Sequence, residues 1–201
     1  MESQITELFL YKKELKFNEI EKKLKIRSNK LAYHLKKLVL QGILSKSQEV
    51  YTLSEPAEPL IPYISEKKAT LPVILIHIGN NRKAFLIKRE KRPYQGYISL
   101  PAGRLMLGES IPEATERIML EKYNIKTKFK SLHSISLEHV KKRKNILHSF
   151  LLIFVSAKAL QKIQLQDIQK EKEKTIKSDY HLLTHDRGKK MKIPIINSQI
   201  T

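Results

Sequence analysis

The chain has 201 residues, with 39 Lys and Arg against 20 Asp and Glu and a formal net charge of +19. That length admits one large domain or two small ones, and the charge, spread along the chain rather than gathered in a tail, favours polyanionic partners. The lack of cysteine excludes a disulfide framework and a thiolate metal site. No apolar run reaches the length of a bilayer and the N-terminus lacks a signal-peptide core, so a cytoplasmic protein without membrane association is expected.

Residues 1–55 read as three short helices and a hairpin. Ile5, Leu8 and Phe9 give a first helical stripe. Asn18 is predicted to cap a second helix that turns Ile20 and Leu24 inward, and Lys25-Ile26-Arg27 to form a tight turn. Ser28 is predicted to cap a third helix with Leu31, Leu35, Leu38 and Val39 at helical spacing, ended by Gly42. Ile43–Ser45 and Val50–Leu53 then alternate like two strands around Lys46-Ser47-Gln48. Arg27, Lys30, Lys36, Lys37 and Lys46 are basic, and no acid lies between 27 and 46. Ser28, Asn29, Lys30, Tyr33 and His34 add hydroxyl, amide, ammonium and imidazole groups of the kind that contact phosphates and bases. A helical bundle with a solvated lysine face would show the same pattern.

This order resembles the winged helix-turn-helix of ArsR- and MarR-like regulators, with NKLAYHLKKLVLQGIL as third helix and VYTLS in the wing. The resemblance implies that the third helix reads duplex DNA and the wing tracks its backbone. The DNA-contacting set it implies is Arg27, Ser28, Asn29, Lys30, Tyr33, His34, Lys36, Lys37 and Lys46.

Residues 56–70 hold three prolines and read as a connecting segment with one short helix, with Leu60, Ile61, Tyr63 and Ile64 too apolar for a free tether. A second domain, 71–201, opens with a buried-type strand at Val73–Ile78, a Gly79-Asn80-Asn81 hairpin turn and a partner strand at Ala84–Arg89. A charged loop, Glu90–Gln95, and a short strand, Gly96–Leu100, follow. Arg89, Lys91 and Arg92 are either phosphate contacts or solvated loop cations.

The stretch from Gly103 to Ile125 reads as a loop punctuated by Gly103 and Gly108, then a helix. Ser110 is predicted as its cap, with Pro112 in the first turn, Glu113 completing a capping box and Asn124 as a left-handed stop. The spacing of Gly103, Glu109, Arg117, Met119, Glu121 and Ile125 resembles the Nudix box, G-x5-E-x7-R-E-U-x-E-E-x-G-U, and Leu100-Pro101-Ala102 resembles its lead-in. The resemblance implies a mixed-sheet α/β/α sandwich and, in active members, a Mg²⁺ ion held by carboxylates on one helix face. Positions 118, 121 and 122 share that face. Here they hold Ile118, Glu121 and Lys122, so two expected acids are missing. Either Ile118 and Met119 are core with Glu121 and Lys122 solvated, or a ligand pocket persists without the chemistry.

After the box, Lys128–Glu138 and Leu147–Ala157 are predicted strands, the second apolar enough to be central. Lys141-Lys142-Arg143-Lys144 between them is a solvated loop or a phosphate contact. Ser178–His185 fits a closing helix, and 189–201 a strand or a loose tail.

The overall expectation is a multi-domain α/β chain: an α+β winged helix at 1–55, a linker at 56–70 and a Nudix-like domain at 71–201. The function expected of it is DNA-binding transcription regulation as a homodimer on double-stranded DNA. The degenerate Nudix-like domain would sense a nucleotide or ADP-ribose-like ligand through Arg89, Arg92, Pro101, Gly103, Arg104 and Arg117, or would mediate dimerisation. No catalysis, cofactor or metal is expected on that reading, Glu121 being the sole weak metal candidate. The alternatives are an active Mg²⁺-dependent hydrolase of nucleoside diphosphate derivatives using Glu109, Glu121 and Glu138, and an RNA-binding protein.

Overall fold

The computed structural model describes residues 1–64 and 69–194. Part of the expected connector, 65–68, and of the expected C-terminal strand or tail, 195–201, lie outside the described residues. Backbone contacts divide the chain into two units, Met1–Ala69 and Thr70–Thr201. Among the described residues no helix is long and apolar enough to cross a membrane.

The first unit runs α1 (Glu2–Leu8), β1 (Glu14–Lys16), α2 (Phe17–Leu24), α3 (Ser28–Leu40), β2 (Leu44–Ser47) and β3 (Val50–Leu53). The stripes read from the sequence close one core of Ile5, Phe9, Ile20, Leu31, Leu35, Leu38, Leu44 and Tyr51, joined by Leu15, which lay in none of them. Strand β1 was not legible as a strand. It is three residues long, and Leu15 alone points inward, so it carries no alternation to find. It completes an antiparallel sheet in the order β1-β3-β2. The caps also move. Helix α2 starts at Phe17, because the Glu19 carboxylate accepts the Lys16 amide at 2.8 Å and fixes the start ahead of Asn18. Arg27, not Ser28, is the N-cap of α3, because the Ser28 hydroxyl donates to Glu21 instead. Lys25 takes the left-handed turn between the helices, at φ 50°. The proline-rich stretch Glu55–Tyr63 forms tight helical turns, with Ala57 buried.

The second unit is a mixed α/β fold. Its strands are β4 (Leu71–His77), β5 (Lys83–Ala84), β6 (Ile87–Lys88), β7 (Ile98–Ser99), β8 (Ala102–Arg104), β9 (Thr127–Lys142), β10 (Asn145–Ala159) and β11 (Gln166–Asp167). Helix α4 spans Ile111–Tyr123 and α5 spans Lys177–His181, continuing as a wider turn through Leu182–Asp186. The main sheet has the order β8-β4-β10-β9, with β10 parallel to β4 and antiparallel to β9. The predicted central strand is therefore central. The predicted hairpin partner of β4 is not one strand: β5 pairs with β11 and β6 with β7.

Strands β4 and β10 are apolar on both faces because both faces are covered. Ile74, Ile76, Ile153 and Val155 pack with Ala114, Ile118 and Met119 of α4. Leu75, Leu152 and Phe154 pack on the opposite face with Leu100, Ile168, Leu182 and Leu183. Gly103, expected in a loop, lies in β8, where it passes directly beneath α4. A Cβ there would stand 2.6 Å from Ile118 Cγ1 and 2.7 Å from its Cδ1. Gly103→Ala is therefore expected to cost about 1–3 kcal/mol by overpacking, read from urea unfolding, with partial rescue when Ile118→Val makes room.

Candidate functional site

Helix α4 begins as its sequence dictates. Ser110 accepts the Glu113 amide, while the Glu113 carboxylate accepts the Ser110 amide at 2.8 Å. Asn124 closes the helix in the left-handed region, at φ 53°. Gly108, at φ 80°, turns the preceding loop. These features bring three box residues together as one unit. Arg117 donates to both Glu109 oxygens, to Glu121 Oε2 at 3.1 Å and to the Arg104 carbonyl at 3.0 Å. Glu109 also accepts the Met106 amide at 2.9 Å. The Arg117 guanidinium holds the Glu109 carboxyl below its usual range, and Glu109 in turn raises Arg117.

Arg117, expected to contact a ligand, is thus the clasp that closes the loop from 104 to 109 onto α4. Glu109 and Glu121, the candidate catalytic and metal carboxylates, serve that clasp. Ile118 is fully buried and belongs to the core. Lys122 is not merely solvated: its ammonium returns to the sheet edge and donates to the Ala102 carbonyl at 2.7 Å. Partial burial lowers its pKa, and the positive charges of Arg117, Arg89, Lys91 and Arg104 lower it further.

A magnesium ion requires several hard oxygen ligands around one point. The box face offers one exposed carboxylate, already paired with Arg117, between a buried isoleucine and an ammonium. Among the described residues no three His, Cys, Asp or Glu side chains converge as a metal ion would require. The residues present do not fit the ion that the box implies.

A second cluster of carboxyls lies outside the box. Arg89, Pro93, Tyr94, Ala102, Glu138 and Asp179 line a cavity of about 60 Å³, with Val73, Leu75, Phe150, Leu152 and Ile176 as its apolar wall. Glu138 accepts the Tyr94 hydroxyl at 3.0 Å and the Ser178 hydroxyl at 2.7 Å. Asp179, fully buried, accepts the Leu100 amide at 2.8 Å. Burial pushes its carboxyl up to about 7, against the partial relief of that amide bond. Arg89 donates to the Pro93 carbonyl at 2.9 Å and lines the same cavity. Sequence reading named Glu138 and Arg89 but missed Asp179. A single acid in a lysine-rich segment carries no signal until the fold buries it.

The remaining expected ligand residues divide. Arg92 and Arg104 are exposed, and Arg104 is within electrostatic reach of Lys122. Pro101 is buried and its carbonyl accepts the Ile76 amide at 2.9 Å. Gly103 is packed beneath Ile118 and offers no surface. The four-cation run at 141–144 is exposed at the β9–β10 turn, with Arg143 at φ 55°.

In the first unit Arg27, Ser28, Asn29, Lys30, Tyr33, Lys36 and Lys46 are exposed. Three of the expected DNA contacts have partners inside the unit. Ser28 donates to Glu21, His34 lies 3.3 Å from a Glu2 carboxylate oxygen, and Lys37 donates to that oxygen at 2.7 Å.

No family model and no curated protein matches the chain. Solved structures do. A NUDIX hydrolase from Nitrosomonas europaea is similar with a TM-score of 0.54 at 17% identity, covering 65% of this chain and 98% of that one. A further NUDIX hydrolase crystal structure from Nitrosomonas europaea gives 0.49 at 19%, covering 62% and 77%. A UDP-X diphosphatase gives 0.44 at 21%, covering 78% of each chain. The first of these carries the likeness of fold. That likeness overturns the expectation of a DNA-binding transcription regulator: the structure that carries it is a NUDIX hydrolase. Together with the box on α4, the likeness gives the second unit, residues 70–201, a Nudix-like fold.

Proposed function

We propose that residues 70–201 are a Nudix hydrolase-type domain acting on a nucleoside diphosphate derivative, whose phosphates are met by cations of the chain itself. The observation that carries this reading is the placement of Arg89, Lys91, Arg104 and Arg117 within electrostatic reach of Lys122 at the box, while both nearby box carboxylates are spent on Arg117. Such a field favours a di-anionic ligand over a neutral or cationic one.

Hydrolysis of a phosphoanhydride needs the phosphate charge neutralised and a proton taken from the attacking water. Arg89, Arg104 and Lys122 answer the first need. Glu138 and Asp179, facing the cavity that Arg89 lines, answer the second. Asp179 changes protonation state near neutral pH, which suits a proton acceptor. No step is routed through a metal ion.

The order α1-β1-α2-α3-β2-β3 with its β1-β3-β2 sheet supports reading the first unit as a winged helix-turn-helix in form.

The test is a screen of nucleoside diphosphate derivatives, including UDP-glucose and ADP-ribose, for both binding and release of a monophosphate. Turnover that falls about tenfold or more in Asp179→Asn supports the reading. Binding without turnover removes the hydrolase half of it. Failure of every compound to bind overturns it.

A further inference from the structure

The box pattern draws a cation to the helix face that carries positions 121 and 122. In this chain the cation at that face is covalent. The Lys122 side chain leaves α4 and brings its ammonium to 2.7 Å from the Ala102 carbonyl, on the strand that runs beneath the helix. One N–H is used there, and an ammonium has three. Two donors and a full positive charge remain for a ligand.

Three further features make this arrangement coherent. Ile118 fills the space where the pattern has an acid, and Gly103 is closed against it, so a divalent ion finds no carboxylate on that side. Glu121 and Glu109 are both bonded to Arg117, so neither is free to neutralise Lys122. Ala102, the residue that holds the ammonium, also lines the cavity shared by Arg89, Tyr94, Glu138 and Asp179. Of these, Glu138 is already met by two hydroxyl donors and Asp179 by a backbone amide, so each carboxyl has its own partner inside the fold.

A lysine ammonium is a compact point charge that binds phosphate without fixed coordination geometry. It supplies the charge neutralisation that a metal ion would give at a phosphate oxygen, though not a metal-activated water. We propose that the Lys122 ammonium, seated on the Ala102 carbonyl, occupies the cation position of the box and binds the ligand's diphosphate without a divalent ion. This inference rests on the reading of the second unit as a nucleoside-diphosphate domain.

The experiment is calorimetric titration of the full chain with ADP-ribose and with ADP, first in excess EDTA and then in excess Mg²⁺. The wild type, Lys122→Arg and Lys122→Gln are compared, with thermal melting to check that each variant is folded. Lys122 is an exposed helix residue, so both substitutions are expected to fold. The wild type is expected to bind in EDTA within about threefold of its affinity in Mg²⁺. Lys122→Gln, which keeps a donor for Ala102 but loses the charge, is expected to bind about tenfold or more weakly, the loss of one charge-assisted bond. Lys122→Arg is expected to stay within about threefold of the wild type. Binding that appears only with Mg²⁺ overturns the inference while leaving the ligand class standing. So does an unchanged affinity in Lys122→Gln, or an equal loss in Lys122→Arg. Absence of binding under both conditions, by these and by the rest of the nucleotide panel, overturns the ligand class itself.

Discussion

Ile118→Glu, which returns to the box the acid it lacks, is expected to destabilise the second unit by about 3–5 kcal/mol. Ile118 is fully buried between α4 and the strands carrying Ile74, Ile76, Ile153 and Val155. The substitution removes that packing and places a carboxyl in its stead, while the one ammonium on that helix face, Lys122, is held on the Ala102 carbonyl. Arg117, the one guanidinium on the neighbouring turn, is fully engaged by Glu109 and Glu121. A carboxyl without a partner in such a place is held protonated, its folded pKa raised above the unfolded value near 4.3. The sign of the pH dependence follows: the deficit relative to wild type is smallest at acid pH and grows as pH rises through neutrality. Urea unfolding at several pH values reads both effects. A deficit under about 1 kcal/mol would mean that the position is open to solvent.

The second large effect belongs to Asp179. Its carboxyl stands at about 7 in the folded chain against an ordinary value of 3.8, because it is fully enclosed. Below pH 4 both folded and unfolded chains hold its proton. Between about 4 and 7 the folded chain binds one more proton than the unfolded chain, so stability falls as pH rises across that window and levels off above it. About three pKa units at 1.36 kcal/mol each make the loss roughly 4 kcal/mol as an upper figure. Asp179→Asn keeps an oxygen for the Leu100 amide and removes the titration. The variant is therefore expected to lack this slope and to gain on the wild type steadily from pH 4 to pH 7. Parallel stability profiles of the two proteins would show that Asp179 is not buried as described.

These two residues mark the limits of the sequence. The caps of α4 were legible because capping is local: Ser110, Glu113 and Asn124 act within a few residues of one another. The central strand was legible because Ile146–Val155 is largely apolar, with Phe150–Val155 an unbroken apolar run. The missing acid at Ile118 was visible too, but whether it meant core or an idle pocket depended on what lies above Gly103, a contact between distant parts of the chain. Lys122 read as a solvated cation because nothing in its neighbours names the Ala102 carbonyl, twenty residues earlier, as its acceptor. Asp179 meets Leu100 across 79 residues, beyond the reach of any spacing rule. The strand expected at Ala84–Arg89 failed for a related reason. Its residues favour extended backbone, yet its two halves pair with different partners. The nine expected DNA contacts came from a resemblance to winged helices and from side-chain type, neither of which reveals the partners inside the unit. The acids that claim three of them, Glu2 and Glu21, lie on other helices of the unit.

The chain's distinguishing feature is a Nudix-like helix that carries a core side chain and an ammonium where the box carries acids. Titration of the full chain with Mn²⁺ at neutral pH, followed by electron paramagnetic resonance, tests this most directly. The expected result is that the ion stays free until its concentration is on the order of a millimolar, with wild type and Glu121→Gln alike, since one paired carboxylate makes no site for a hard cation. A stoichiometric Mn²⁺ site that Glu121→Gln abolishes would contradict it.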